Sequence, residues 1–210
     1  MTTSSAAGAD YFQTLYQQDT DPWKVRQRWY EQRKRSLLLA NLPQQRYRRA
    51  FEPACGNGEL TAELAHRAEH VTASDMSAEA VRLARQRMQR EDISDASRVT
   101  LLCQRMPQDW PGEARFDLIV ISEMLYYLNA EEVLQLRERC TGALAAGGTL
   151  LLCHWRPDFA DRLLGTDEAH AIFEQAPALH KIVRHVEDDF LLEVWSGNAA
   201  SVAQREGLQR

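Results

Sequence analysis

Arg49-Ala50-Phe51-Glu52-Pro53-Ala54-Cys55-Gly56-Asn57-Gly58-Glu59-Leu60-Thr61 is the stretch from which the rest of the chain can be read. A short run ending in Phe51-Glu52 passes into Gly56 and Gly58, then into the amphipathic segment Glu59-Leu60-Thr61-Ala62-Glu63-Leu64-Ala65. That order predicts strand, tight glycine turn and helix, the place where an α/β domain brings a ligand up to bare backbone. Glycine suits the turn because it takes backbone angles that other residues avoid, and because a side chain would hold the ligand away. The following helix offers unpaired N–H groups and the positive end of its dipole. About twenty residues on, Val71-Thr72-Ala73-Ser74-Asp75 reads as a second strand ending in a carboxylate. In a Rossmann-type βαβ unit that spacing sets an acid against a ribose diol.

Outward from this unit the chain alternates. Strands are predicted over residues 49–53, 70–74, 99–103, 116–121 and 149–154, separated by helices over 58–68, 77–90 and 130–145, with Ser77 capping the second. Helical pieces follow over 157–175, and residues 181–187 and 190–195 read as a hairpin around Asp188-Asp189. Crossovers of helical length argue for a mostly parallel sheet covered on both faces, with the closing hairpin inserting one antiparallel strand. Ahead of this core, residues 10–16 form a short helix. Asp21-Pro22 then reads as the start of a long helix to residue 41, with Asp21 as N-cap and most of its cations on a solvated face. Residues 1–9 and the tail 199–210 carry no apolar pattern and read as disordered and loose, leaving one domain over 10–198.

A chain of 210 residues with 44% hydrophobic and 26% charged residues is ordinary for one soluble domain. A net charge of −5 argues against broad contact with a phosphate backbone, hence against a nucleic-acid partner. The four cysteines have no metal-ligand spacing, and no metal is expected. Neither a signal peptide nor a membrane-length apolar run is visible, so the chain reads as cytoplasmic.

Three features taken together, Glu52 before the turn, Asp75 after the next strand and the run Phe116-Asp117-Leu118-Ile119-Val120, resemble the class I methyltransferases that use S-adenosylmethionine (SAM). Their first motif, E/D-x-G-x-G-x-G, reads here Glu52-x-Ala54-x-Gly56-x-Gly58, with Ala54 replacing the first glycine. More closely, Asp21-Pro22-Trp23, Ser122-Glu123-Met124-Leu125-Tyr126-Tyr127, Cys153-His154-Trp155-Arg156 and His185-Val186-Glu187 are similar to the nodulation protein S (NodS) family. The resemblance implies a Rossmann-like class I fold, a seven-stranded mostly parallel sheet with one antiparallel strand, under N-terminal lid helices (residues 10–48). It implies SAM as cofactor and S-adenosylhomocysteine (SAH) as product, with a small-molecule or saccharide amine as methyl acceptor. An O-methyltransferase, a SAM-binding protein without turnover and a nicotinamide oxidoreductase are the competing readings. Glu52 counts against the last, because a carboxylate there would face a pyrophosphate.

On that resemblance Glu52, Ala54, Cys55, Gly56, Gly58 and Ser122 would line the methionine and ribose, and Asp75 would take the ribose hydroxyls. Met76 would lie on the adenine face or in the core. Gln104, Arg105 and Met106 occupy the place after the third strand where an acid often meets the adenine amine. Trp23 and Arg33 would come from the lid, with Arg33 meeting the SAM carboxylate. Glu123 and His154 leave the ends of adjacent strands, and either would serve as the base that takes a proton from the acceptor amine. Tyr126, Tyr127 and Trp155 supply flat faces for the acceptor.

Overall fold

The computed structural model describes residues 8–93, 98–112, 114–176 and 179–208. Seven strands make one sheet: β1 (Tyr47–Pro53), β2 (Ala68–Asp75), β3 (Val99–Cys103), β4 (Phe116–Ser122), β5 (Leu144–Trp155), β6 (His180–Val186) and β7 (Phe190–Ser196). Their order is β3-β2-β1-β4-β5-β7-β6. The first five are parallel, and β7 runs antiparallel to both β5 and β6. Single antiparallel insertion follows from the chain returning on itself at Asp188-Asp189, too few residues for a parallel crossover. The seven α-helices among the described residues are α1 (Ala9–Gln18), α2 (Trp29–Ala40), α3 (Glu59–Ala65), α4 (Ala78–Arg90), α5 (Ala130–Ala143), α6 (Thr166–Glu174) and α7 (Val202–Arg205).

Both sheet faces are buried, as a parallel sheet requires. Along β4 the side chains alternate between two cores. Leu118 and Val120 join Leu38, Leu64, Val71 and Leu151 on one side, whereas Ile119 and Ile121 join Phe51, Phe116, Val133 and Leu152 on the other. Ser77 caps α4 as expected, accepting from the Ala80 N–H at 3.1 Å. Gln13 of α1 bridges to the same cap, its Oε1 accepting from Ser77 Oγ and the Glu79 N–H at 2.9 and 3.0 Å.

Three expectations are corrected. The helix expected over 23–41 begins only at Trp29. Ahead of it the Asp21 carboxylate accepts the N–H groups of Val25 and Arg26 at 2.9 and 3.1 Å, and Lys24 takes φ 59°. Asp21 thus closes a compact turn with its own side chain, competing with the helical pattern. Of the helical pieces expected over 157–175, only α6 forms. Arg162 pins the preceding loop by donating to the carbonyls of Trp155 and Arg156 at 2.9 and 2.7 Å. The disorder expected for residues 1–9 falls mainly on 1–7, outside the described residues, while Ala9 opens α1.

Candidate active site

Strand order reverses between β1 and β4, so the loops leaving their carboxyl ends diverge and open a crevice there. A cavity of about 640 Å³ fills it. Its floor comes from the ends of β1, β2, β4 and β5, through Glu52, Asp75, Ser122, Glu123 and Trp155. Its roof comes from α1, the Asp21 turn and the first turns of α2.

At the β1 end Glu52 is buried and accepts from Thr61 Oγ1 at 2.6 Å. Burial pushes its carboxyl up to about 8, against the pull of the Thr61 bond and with help from the Asp75 charge. The turn beyond is left-handed at Ala54 (φ 55°), Gly56 (φ 54°) and Gly58 (φ 83°). Ala54 therefore holds the conformation that its glycine-bearing position demands, with its side chain packed at the edge of the second core. A Cβ on Gly56 would lie 2.5 Å from the Tyr16 hydroxyl, so Gly56 is bare because α1 closes over it. Gly58 does not line the cavity. A Cβ there would meet Cα and Cβ of Ala84 at 3.0 Å, so its role is the close packing of α3 on α4.

Asp75 is fixed from both sides. Oδ1 accepts from the Ser77 N–H and Oδ2 from the Gly56 N–H, each at 2.9 Å. Burial raises its carboxyl to about 6, opposed by these backbone donors. Because Ser77 caps α4, Asp75 is spared that duty, and its remaining lone pairs face the cavity it lines. Met76, Gln104, Arg105 and Met106 line the same end. Gln104 Oε1 is buried without a hydrogen-bond partner among the described residues, an acceptor placed for an amino group. The acid at Asp75, the tight glycine turn, the buried acid at Glu52 and this orphaned oxygen are of the chemistry that the ribose, methionine chain, ammonium and adenine amine of SAM would need.

The β4 end is differently charged. Glu123 takes φ 56°, a strained conformation for a residue with a side chain, and this turns its carboxylate into the cavity. Oε2 accepts from the Tyr126 hydroxyl at 2.6 Å and the Trp155 N–H at 3.0 Å, while Oε1 accepts from Lys34 Nζ at 2.5 Å. Lys34 also meets Glu31 at 3.0 Å and lies over the Tyr30 ring, 5.0 Å from its centroid. Asp161 and Asp189 add further acidic groups to the lining. Tyr127 and Phe159 lie 5.7 Å apart in edge-to-face contact beside Tyr126.

Two other expected residues stand elsewhere. Arg33 does not line the cavity; it forms a bidentate pair with Glu187 at 2.7 and 2.8 Å. One residue along α2 turns the side chain by about 100°, so Lys34 faces inward where Arg33 faces out. Arg28, at the N-cap of α2, also lines the cavity. His154 is fully buried behind the cavity wall. Its Nδ1 is 2.9 Å from His170 Nε2, and His170 Nδ1 is 2.9 Å from Glu193. Burial, then the neighbouring His170, Lys34 and Arg162, keep its protonation well below the usual histidine range. His154 therefore belongs to a buried chain with His170 and Glu193 and does not line the cavity. Tyr16, Glu31 and Lys34 were missed in the sequence. Glu31 and Lys34 carry an i,i+3 spacing that any solvated helix face also shows, and they stand in Trp29-Tyr30-Glu31-x-Arg33-Lys34, a stretch similar to the NodS family from which only Arg33 was singled out.

Among the described residues, no group of three or more His, Cys, Asp and Glu is placed to hold a metal. No helix there is long and apolar enough to cross a membrane.

The sheet order with one antiparallel strand, and an acid-flanked glycine turn at the switch point, define a Rossmann-like class I methyltransferase domain. Comparison agrees. Residues 50–148 match the family model described as a methyltransferase domain. A candidate methyltransferase from Pseudomonas syringae is 46% identical, with TM-score 0.68, covering 80% of this chain and 99% of its own. The chain belongs to the methyltransferase family. Nodulation protein S from Rhizobium tropici is 32% identical over 114 residues, 51% of this chain and 43% of that protein. The chain spans about half the length of the curated relatives it matches. The N-methyltransferase NodS from Bradyrhizobium japonicum WM9, in complex with SAH, shares the fold at TM-score 0.77 and 24% identity, over 91% of this chain and 98% of that one.

Proposed function

We propose that this protein transfers a methyl group from SAM to an amine of a small molecule or amino sugar, in the cytoplasm. The observation that carries the reading is the charge of the acceptor end. Lys34 supplies one positive charge to two carboxylates, Glu31 and Glu123, and Asp161 and Asp189 add negative charge to the lining against Arg28 and Arg35, leaving four carboxylates to three cations. Such a wall attracts a cationic acceptor and gives a neutral hydroxyl no comparable advantage. The NodS relatives, one of them an N-methyltransferase by its description, support the same choice. The four free cysteines suit a reducing compartment.

SAM supplies a methyl on a sulfonium, poised for in-line displacement. The chain's task is alignment, and holding two reactants at attack distance is worth roughly 7–11 kcal/mol. Asp75 and Gln104 would hold the nucleoside end, and Glu52 the ammonium. Glu123 would meet the acceptor, whose amine arrives protonated. It would take that proton, leaving the nitrogen lone pair free to attack. Tyr126 and the Trp155 N–H keep the carboxylate aimed during this step. Tyr30, Tyr127, Trp155 and Phe159 would exclude water around the acceptor and offer faces for stacking.

The test is a turnover screen measuring SAH formation with amino sugars, polyamines and hydroxylated aromatics. Turnover with amines is expected, with Glu123→Gln slower by about 10²–10⁴-fold at neutral pH. Turnover confined to hydroxylated acceptors, or SAH bound but never formed, overturns the reading.

A further inference from the structure

Lys34 is 4% exposed, rare burial for a lysine, and its one charge is divided. Nζ lies 2.5 Å from Glu123 and 3.0 Å from Glu31, so the two carboxylates reach the same nitrogen and stand close to one another. Burial works against the ammonium, but Glu123 and Glu31 outweigh it and hold the proton on more tightly than in water. The groups facing Glu123 are Tyr30, Glu31 and Lys34 from α2, Tyr126 and Tyr127 from the turn after β4, and Cys153 from β5. Burial pushes the tyrosine hydroxyls and the thiol to titrate above their usual ranges, so they stay neutral. Lys34 and Glu31 are the charged groups in this cluster, and Arg162, 5.7 Å from the Tyr126 ring centroid, is a further cation nearby.

We propose that Lys34 and Glu31 form a charge-sharing pair of positioning residues that sets how tightly Glu123 holds a proton. The geometry has a purpose that a simple ion pair would not serve. When Glu123 takes a proton from an acceptor ammonium, the N–H electron pair stays on nitrogen and a carboxylate lone pair forms the new O–H bond. Glu123 becomes neutral, and a lysine paired with it alone would be left as a stranded buried cation, a costly state. Here Lys34 keeps Glu31 as partner, so the charge remains matched after transfer. Before transfer the excess negative charge belongs to the carboxylate pair and faces the arriving cation. Glu31 thus assists proton uptake without touching the acceptor. The inference rests on the reading of Glu123 as the base, but its test needs neither cofactor nor acceptor.

The Glu123 carboxyl resonance, identified by its loss in Glu123→Gln, is followed by carbon-detected NMR across pH in the intact protein, in Lys34→Met and in Glu31→Gln. Removing the cation leaves Glu123 beside Glu31, and its midpoint moves up by about 1–3 pH units, the range typical of a charge partner within a few ångströms. Removing the Glu31 charge leaves the whole of Lys34 to Glu123, and the midpoint moves down. Gln keeps an oxygen for Lys34 to bond, so Glu31→Gln retains the packing. A pair too far from Glu123, or too well screened by solvent, to set its hold on the proton would leave both midpoints in place. A midpoint that is unmoved or raised in Glu31→Gln overturns the proposal, whatever Lys34→Met does. If the midpoints move as expected while Glu123→Gln still methylates amines at the parental rate, the inference stands and the assignment of Glu123 as base fails.

Discussion

At the residue scale the most telling group is Glu52, an acid buried with one hydrogen-bond donor, Thr61, and no cation among the described residues. Its carboxyl, raised from 4.5 to about 8, is protonated more readily in the fold than in an unfolded chain. The sign follows: its contribution to stability is present below about 4.5 and is lost as pH climbs through about 8. A ligand ammonium would reverse this locally, because it favours the ionised form. Binding of SAH near pH 7 should therefore release a proton, and affinity should rise with pH up to about 8, by at most tenfold per unit. Calorimetry in buffers of different ionisation enthalpy measures that proton directly. In Glu52→Gln the release should vanish and the affinity should fall. Release unchanged in the variant would place the ammonium elsewhere. Glu52 and Asp75 were legible in the sequence because motif spacing ties them to a strand end. His154 misled for the same reason: it also ends a strand, and the partner that draws it inward, His170, comes from α6 with no sequence signal. Arg33 and Lys34 differ by one position, and which of them faces the cavity depends on where α2 starts, which the Asp21 turn decides.

At the element scale, the glycine turn divides its work between ligand and packing. Gly56 lies under Tyr16 and beside Asp75, whereas Gly58 lets α3 approach the backbone of α4 at Ala84. Gly58→Ala combines a left-handed φ with a backbone clash that no rotamer change relieves. It should cost about 1–3 kcal/mol of stability, read as a lower urea midpoint with unchanged slope. Gly56→Ala shares the strain of a left-handed φ (54°), but its Cβ meets the far end of the Tyr16 side chain, which can swing aside, so its loss of stability should be the smaller. Its larger effect should fall on SAH affinity, since it displaces α1 and the Asp75 contact. Equal losses of stability in both variants would contradict this division. The strands were legible for a reason of the same scale. The central strands carry short apolar runs bounded by turn residues, as in Phe116-Asp117-Leu118-Ile119-Val120-Ile121, which burial on both faces makes easy to read, whereas the edge strand β6 is largely exposed. The stretch between Trp23 and Trp29 was not, because its helical composition is overruled by a single carboxylate that caps two backbone N–H groups from within the turn.

At the scale of the whole molecule, α1 spans the mouth of the cavity and is held at three separate points. Gln13 bonds the α4 cap, the Phe12 ring meets Tyr127 at 5.1 Å, and the Tyr11 hydroxyl donates to Asp161 at 2.7 Å. The last contact joins the N-terminal helix to the loop after β5, so it closes the cavity across the reversal of strand order. The bonds to Asp161 also raise the Tyr11 hydroxyl above its usual range, the hydrogen bond first and burial after it. A ligand leaving by this mouth needs α1 to lift, which breaks the Tyr11–Asp161 bond on the way. Tyr11→Phe keeps the ring contact with Phe12 and removes only that bond, and a partly exposed hydrogen bond of this kind is worth about 0.5–1.5 kcal/mol. Dissociation of SAH should accordingly speed up by about two- to tenfold, with association nearly unchanged. Trp23 lines the same cavity 5.6 Å from the Tyr16 ring and serves as the fluorescent reporter in a stopped-flow chase. If the variant releases SAH at the parental rate, α1 is not the gate, and the exit must lie on the side of Arg28 and Asp189.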